Sequence, residues 1–286
     1  MLYRDFATVE DLDREYNLQL RVPEAPAIIE RWARESEAAR AKLGGALGVR
    51  FGPTVDEDLD IFPATGGGKR PVHLFIHGGY WRRFTAREFS FVAPRLVEAG
   101  VCVAVSNYAL CPKVSVTEIV RQTRAALAWL HGHAADYGGD AGRITVSGHS
   151  AGGHLTALML ATDWPGDYGL PAELIKGACP ISGVHDLGPV PYTFIQPSVQ
   201  LSWDEARRLS PIDLIPASAP PITVAVGGGE TDEFVRQSRA YAEACRAAGL
   251  GCAYLEIDGA HHFDILDGFT DPGSRLFKAI LALTGA

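Results

Sequence analysis

The stretch ITVSGHSAGGHL, residues 144–155, decides the fold. It begins as a β-branched strand and ends as an apolar helix, and between them stands Gly148-His149-Ser150-Ala151-Gly152, a G-x-S-x-G pattern. A serine on so sharp a strand-to-helix turn holds a strained backbone, and side chains at the flanking glycine positions would collide with neighbouring backbone. The helix starting at Ala151 aims its free N–H groups and the positive end of its dipole at Ser150. The pattern alone is weak; a strand before it and a helix after it mark Ser150 as a nucleophile.

Outward from this turn, short apolar runs alternate with longer amphipathic stretches. Strands are expected at residues 49–51, 59–62, 72–76, 101–106, 144–147, 175–181, 222–226 and 252–257. Helices are expected at 87–99, 116–137, 151–162, 234–248 and 274–283. In 116–137, Val116, Ile119, Val120, Thr123, Leu127 and Leu130 recur at helical spacing. Such alternation predicts an α/β fold with a mostly parallel eight-stranded sheet, and the nearly all-apolar strands predict helices on both of its faces. Two segments break the rhythm. Residues 1–45 are charged and helix-like, and residues 187–215 are rich in proline and aromatics where a crossover helix is due. The second follows the sixth strand at its carboxyl end, over the usual ligand crevice. Both are read as cap elements of a single domain spanning residues 1–286. Gly66-Gly67-Gly68 reads as a turn.

The composition excludes other classes of protein. With 286 residues, 47% of them hydrophobic, the chain can bury a full core without disulfides or a structural metal. A net charge of −8 argues against nucleic acid or an anionic membrane as partner. Five cysteines with no CxxC spacing, an acidic N-terminus without an apolar core, and no apolar run of about 18 residues point to the cytoplasm. A homodimer is compatible with these features.

A nucleophilic serine needs a base, and the base an orienting acid. After the seventh strand comes Gly227-Gly228-Gly229-Glu230-Thr231-Asp232, and after the eighth Asp258-Gly259-Ala260-His261-His262-Phe263. Glu230, at the tip of its strand, is preferred as the acid over Asp232, which suits a helix N-terminus. His262 is preferred over His261 as the base. Attack on a carbonyl also creates an oxyanion that needs pre-placed donors. One is the N–H of Ala151. The others fall to HGGYWRRF, residues 77–84, where Gly78 and Gly79 can bring bare N–H groups close to a substrate oxygen. His77 is read as a brace for this loop.

Taken together, HGGYW (77–81), GHSAGGHL (148–155), SGVHDL (182–187), LSP (209–211), EFVRQS (233–238) and HHFDIL (261–266), with EYNLQLRV (15–22) near the start, resemble the arylformamidase, or kynurenine formamidase-like, branch of the α/β-hydrolases. That branch lies near the hormone-sensitive-lipase-like esterases, and the resemblance covers nearly the whole chain. It implies an α/β-hydrolase fold and a cytoplasmic serine hydrolase that needs no cofactor. Ser150, His262 and Glu230 would form the triad, with Gly78, Gly79 and Ala151 at the oxyanion. Many members carry aspartate at the acid position where this chain has Glu230. A catalytically silent relative would have lost a triad residue or an oxyanion glycine, and this chain keeps them all.

The substrate implied is a small ester or an N-formyl aryl amide, with short-chain esters as the alternative. A formyl group is minimal, so discrimination falls on the leaving group, for which Tyr80, Trp81, Tyr192, Phe194 and Trp203 are expected to form an aromatic pocket. No metal is expected: His149 and His154 belong to the elbow and its helix, and an HExxH pattern is absent. Cys111 and Trp129 read as packing residues, and His131 and His133 as a solvent-facing helix end.

Overall fold

A computed structural model describes residues 1–66 and 68–286; Gly67, at the centre of the expected glycine turn, lies outside the described residues. The eight strands are β1 (Ala46–Arg50), β2 (Asp58–Phe62), β3 (Arg70–Ile76), β4 (Cys102–Ser106), β5 (Gly139–His149), β6 (Ile175–Ile181), β7 (Ile222–Gly227) and β8 (Cys252–Ile257). They form one sheet in the order β1-β2-β4-β3-β5-β6-β7-β8. β2 runs antiparallel to both its neighbours, and β3 to β8 pair in parallel.

The N-terminal segment forms α1 (Val9–Tyr16), α2 (Leu18–Arg21) and α3 (Ala25–Leu43). The helices of the body are α4 (Ala93–Glu98), α5 (Val116–His133), α6 (Ala151–Leu160) and α7 (Trp164–Tyr168). The insertion after β6 holds α8 (Gln196–Val199) and α9 (Trp203–Arg208), and α10 (Asp232–Ala247) and α11 (Arg275–Thr284) complete the chain. α5, α6 and α10 pack on one face of the sheet, α4 and α11 on the other. The central strands are apolar because both faces are covered, whereas edge strand β8 is only half-buried.

Local chemistry sets the boundaries. Ser115 caps α5 by accepting from the Glu118 N–H, and α3 stops at Gly44, whose φ of 61° few other residues tolerate. The single helix expected at 87–99 is broken. Thr85 and Glu88 close a capping box around a 3-10 turn, Ala86–Glu88, and a second turn follows before Pro94 opens α4 within its first turn. Trp129 is half-buried, its ring stacked on His133 at 4.2 Å rather than inside the core.

Strand register places the functional loops. Ile76 is opposite Gly148, His149 opposite Ile181, Ile181 opposite Ala225, and Gly227 opposite Ile257. The residues that follow β3, β5, β6, β7 and β8 therefore converge at the carboxyl edge of the sheet.

Buried histidines beneath this edge make stability depend on pH. His73 bridges Thr145 Oγ1 (2.9 Å) and Ser147 Oγ (2.7 Å) inside the sheet, and His185 stacks on Tyr241. Burial pushes His73 and His185 down to about 3, and His77 and His154 down to about 4. In the unfolded chain each titrates at about 6.5. Between those values the unfolded chain binds protons that the folded chain refuses, so stability falls as the pH drops below about 6.5. The loss is up to about 1.4 kcal/mol per pH unit for each histidine. Urea midpoints are expected to fall steeply from pH 7 to pH 5; a flat or rising midpoint contradicts this.

Candidate active site

Ser150 sits between β5 and α6 at φ 58°, ψ −117°, in the left-handed region, with its N–H donating to the Ile181 carbonyl at 2.8 Å. The glycines that permit this turn are enclosed by backbone. A Cβ on Gly148 would overlap the Gly152 carbonyl, and one on Gly152 would overlap the Ile76 carbonyl and lie 2.7 Å from that of His77. The strain at Ser150 is held by this packing.

His262 and Glu230 meet behind the serine. His262 Nδ1 donates to Glu230 Oε2 at 2.5 Å, and both side chains are buried. The other oxygen, Oε1, accepts from Ser182 Oγ (2.5 Å) and from the Gly227 N–H (2.8 Å). Three donors thus fix the carboxylate. Asp232, the competing acid, is exposed in the first turn of α10. His261, the competing base, accepts at Nδ1 from the N–H groups of Phe263 and Asp264, both at 3.1 Å, and so organises the loop. His149 donates from Nε2 to the His262 carbonyl at 2.8 Å, and burial holds its pKa well below the usual value. His154 binds the Leu209 carbonyl and accepts from Trp81 Nε1. Both ring nitrogens of His154 are thus engaged.

The loop after β3 presents its N–H groups by turning its carbonyls away. Tyr108 Oη donates to the His77 carbonyl at 2.9 Å and stacks on the His77 ring at 4.0 Å, while His77 Nδ1 donates to the Gly78 carbonyl at 2.8 Å. In a trans peptide the N–H points opposite to the carbonyl, so the N–H groups of Gly78 and Gly79 are directed away from His77 and Tyr108. Both glycines line the cleft that contains Ser150. Among the described residues, the N–H groups of Gly78, Gly79 and Ala151 have no protein acceptor. A Cβ on Gly78 would lie 3.1 Å from that of Ser150, and Gly79 holds φ at 112°.

The cleft opens to solvent and is lined mainly by apolar and aromatic side chains around a few polar groups. Ser150 and His262 lie in it with Gly78, Gly79, Tyr80 and Phe194. Of the five aromatics expected there, Trp81, Tyr192 and Trp203 are elsewhere. Tyr80 and Trp81 both have positive φ, and the turn sends Tyr80 to the cleft and Trp81 into the core against His154. Tyr192 and Trp203 pack on each other at 4.9 Å on the outer side of the insertion, with Trp203 53% exposed. Tyr16, Trp32, Phe84, Phe89 and Phe263 take their place. Tyr16 is held there by its carbonyl, which accepts from Tyr80 Oη at 2.7 Å, and by Gln237, which donates to Tyr16 Oη at 2.8 Å.

This sheet, with a strained serine at its carboxyl edge and a histidine–carboxylate pair behind it, defines an α/β-hydrolase. A family model described as BD-FAE matches residues 59–165. The chain is 30% identical to the kynurenine formamidase of Danio rerio and 32% to that of Salmo salar, each alignment covering 87% of this chain and 85% of the relative. It is 33% identical to Esterase LipQ of Mycobacterium tuberculosis over 76% of this chain and 57% of that protein. Among solved structures, a Silicibacter protein provisionally called a thioesterase superposes with a TM-score of 0.81 at 29% identity, covering 96% of this chain and 99% of that one. The chain belongs to the kynurenine formamidase family of α/β-hydrolases, and it is a hydrolase. No helix among the described residues is long and apolar enough to cross a membrane.

Proposed function

We propose that the protein cleaves N-formyl aryl amides, and small esters of aromatic leaving groups, through an acyl-enzyme on Ser150. The observation that carries this reading is the 2.5 Å contact between His262 Nδ1 and Glu230 behind a cleft that Ser150 shares. Glu230 holds the proton on Nδ1, leaving Nε2 as the base. Ser150 Oγ attacks the carbonyl as its proton passes to His262 Nε2. The carbonyl oxygen becomes an oxyanion received by the N–H groups of Gly78, Gly79 and Ala151. Collapse breaks the bond to the leaving amine or alcohol, which takes the proton from His262. Water, deprotonated by the same nitrogen, then releases formate or the corresponding carboxylate and restores Ser150.

Tyr80, Phe194, Trp32 and Phe263 support an aromatic leaving group, since flat apolar walls favour a ring. The named relatives support a formyl acyl group. LipQ favours a second reading, a carboxylesterase on short-chain esters. Comparing kcat/KM for N-formylkynurenine with p-nitrophenyl acetate and butyrate separates them. A formyl-amide preference of about 10-fold or more is expected; equal or faster ester turnover selects the carboxylesterase. The substrate is read as a small molecule and the compartment as the cytoplasm, in keeping with five free cysteines.

A further inference from the structure

The wall of the cleft is unbalanced in charge. Arg82 and Arg83 line it, and no aspartate or glutamate does. Several other partly exposed arginines find carboxylates, Arg31 with Asp267 at 2.8 Å, Arg121 with Glu57 at 2.6 Å and Arg236 with Glu233 at 2.7 Å, whereas Arg124, away from the cleft, bonds the Thr162 hydroxyl. Among the described residues, the side-chain partner of Arg82 is a neutral one, the Ser198 hydroxyl, to which Nη1 donates at 3.1 Å. Its Nε–H is buried without an acceptor. The Phe194 N–H donates to Asp13 Oδ1 at 2.7 Å.

The guanidinium is also held in place. Its carbon lies 5.4 Å over the Phe194 ring, which meets Tyr80 edge-on. Burial, then the charge of Arg83, pushes the Arg82 pKa down, as befits a cation lacking a counter-ion. A guanidinium stacked over Phe194 in the cleft wall, with no carboxylate partner, is a receptor for a planar anion.

We propose that Arg82 reads a carboxylate on the leaving group of the substrate, with Arg83 adding positive potential at the cleft mouth. The favoured substrate is an aryl formamide or ester whose ring bears an anionic group, ahead of neutral and cationic analogues. A ring cation would find no acidic side chain in the wall. The proposal rests on the hydrolase reading above and goes beyond it by specifying the charge of the leaving group and the residue that selects it.

The test compares kcat/KM for 3-formamidobenzoate with that for 3-formamidobenzamide, its neutral counterpart. A preference on the order of 10-fold for the anion is expected in the wild type, since a charge-assisted pair in a half-open site is screened in part. The ratio should shrink with added sodium chloride, collapse toward one in Arg82→Gln and survive in part in Arg82→Lys. A wild-type ratio near one, or a ratio kept in folded Arg82→Gln, overturns the proposal. A second measurement needs no variant: benzoate should inhibit p-nitrophenyl acetate hydrolysis about 10-fold better than benzamide, and equal inhibition overturns the proposal. If esters turn over and neither formamide does, the formamidase reading fails while the inhibition pair still decides the arginine.

Discussion

Ser150→Ala is expected to lower turnover by at least about 10⁴-fold while leaving the fold intact. The variant removes only Oγ. The φ of 58° at this position is imposed by the overlaps that Gly148 and Gly152 avoid and by the N–H bond to Ile181, none of which involve the hydroxyl. What remains is binding in the cleft and the three N–H groups proposed to receive the oxyanion, which no longer forms by attack from the enzyme. The measurement is kcat/KM on p-nitrophenyl acetate, with circular dichroism to verify the fold. Unimpaired turnover would remove the acyl-enzyme from the mechanism.

Glu230→Gln is expected to cost about 10³–10⁴-fold in kcat, and Asp232→Asn less than about 2-fold. Glu230 Oε1 accepts from Ser182 Oγ and the Gly227 N–H, so the amide oxygen of a glutamine must occupy that place. Its NH₂ then faces His262 Nδ1, which can only accept. The imidazole proton is forced onto Nε2, where the lone pair is needed toward Ser150. The loss is thus a tautomer error, and KM should change far less than kcat. Asp232 points to solvent from the first turn of α10, where it contributes only to the helix terminus. Crippled turnover in Asp232→Asn with a healthy Glu230→Gln would reverse the assignment.

Much of this architecture was legible in the chain because it is dictated locally. The central strands, buried on both faces, write themselves as apolar runs, and the spacing of Gly148 and Gly152 around Ser150 reports a collision with backbone. The family resemblance in the motifs agrees with the measured identity to the kynurenine formamidases. Orientation was harder to read. HGGYW places two aromatics side by side, yet successive positive φ angles send Tyr80 and Trp81 to opposite environments, and nothing in the residue types encodes that rotation. Trp32 and Tyr16 reach the cleft from the N-terminal helices by long-range packing, invisible to local pattern. The pin from Ser182 to Glu230 spans 48 residues and could not be seen before β6 and β7 were placed side by side.

The central claim is that Ser150 is an activated nucleophile. Intact-protein and peptide mass spectrometry after treatment with a fluorophosphonate tests it most directly. The folded wild-type protein is predicted to gain one adduct, located on Ser150, and Ser150→Ala to gain none. A folded wild-type protein that stays unlabelled, or labels equally after the substitution, would contradict the account.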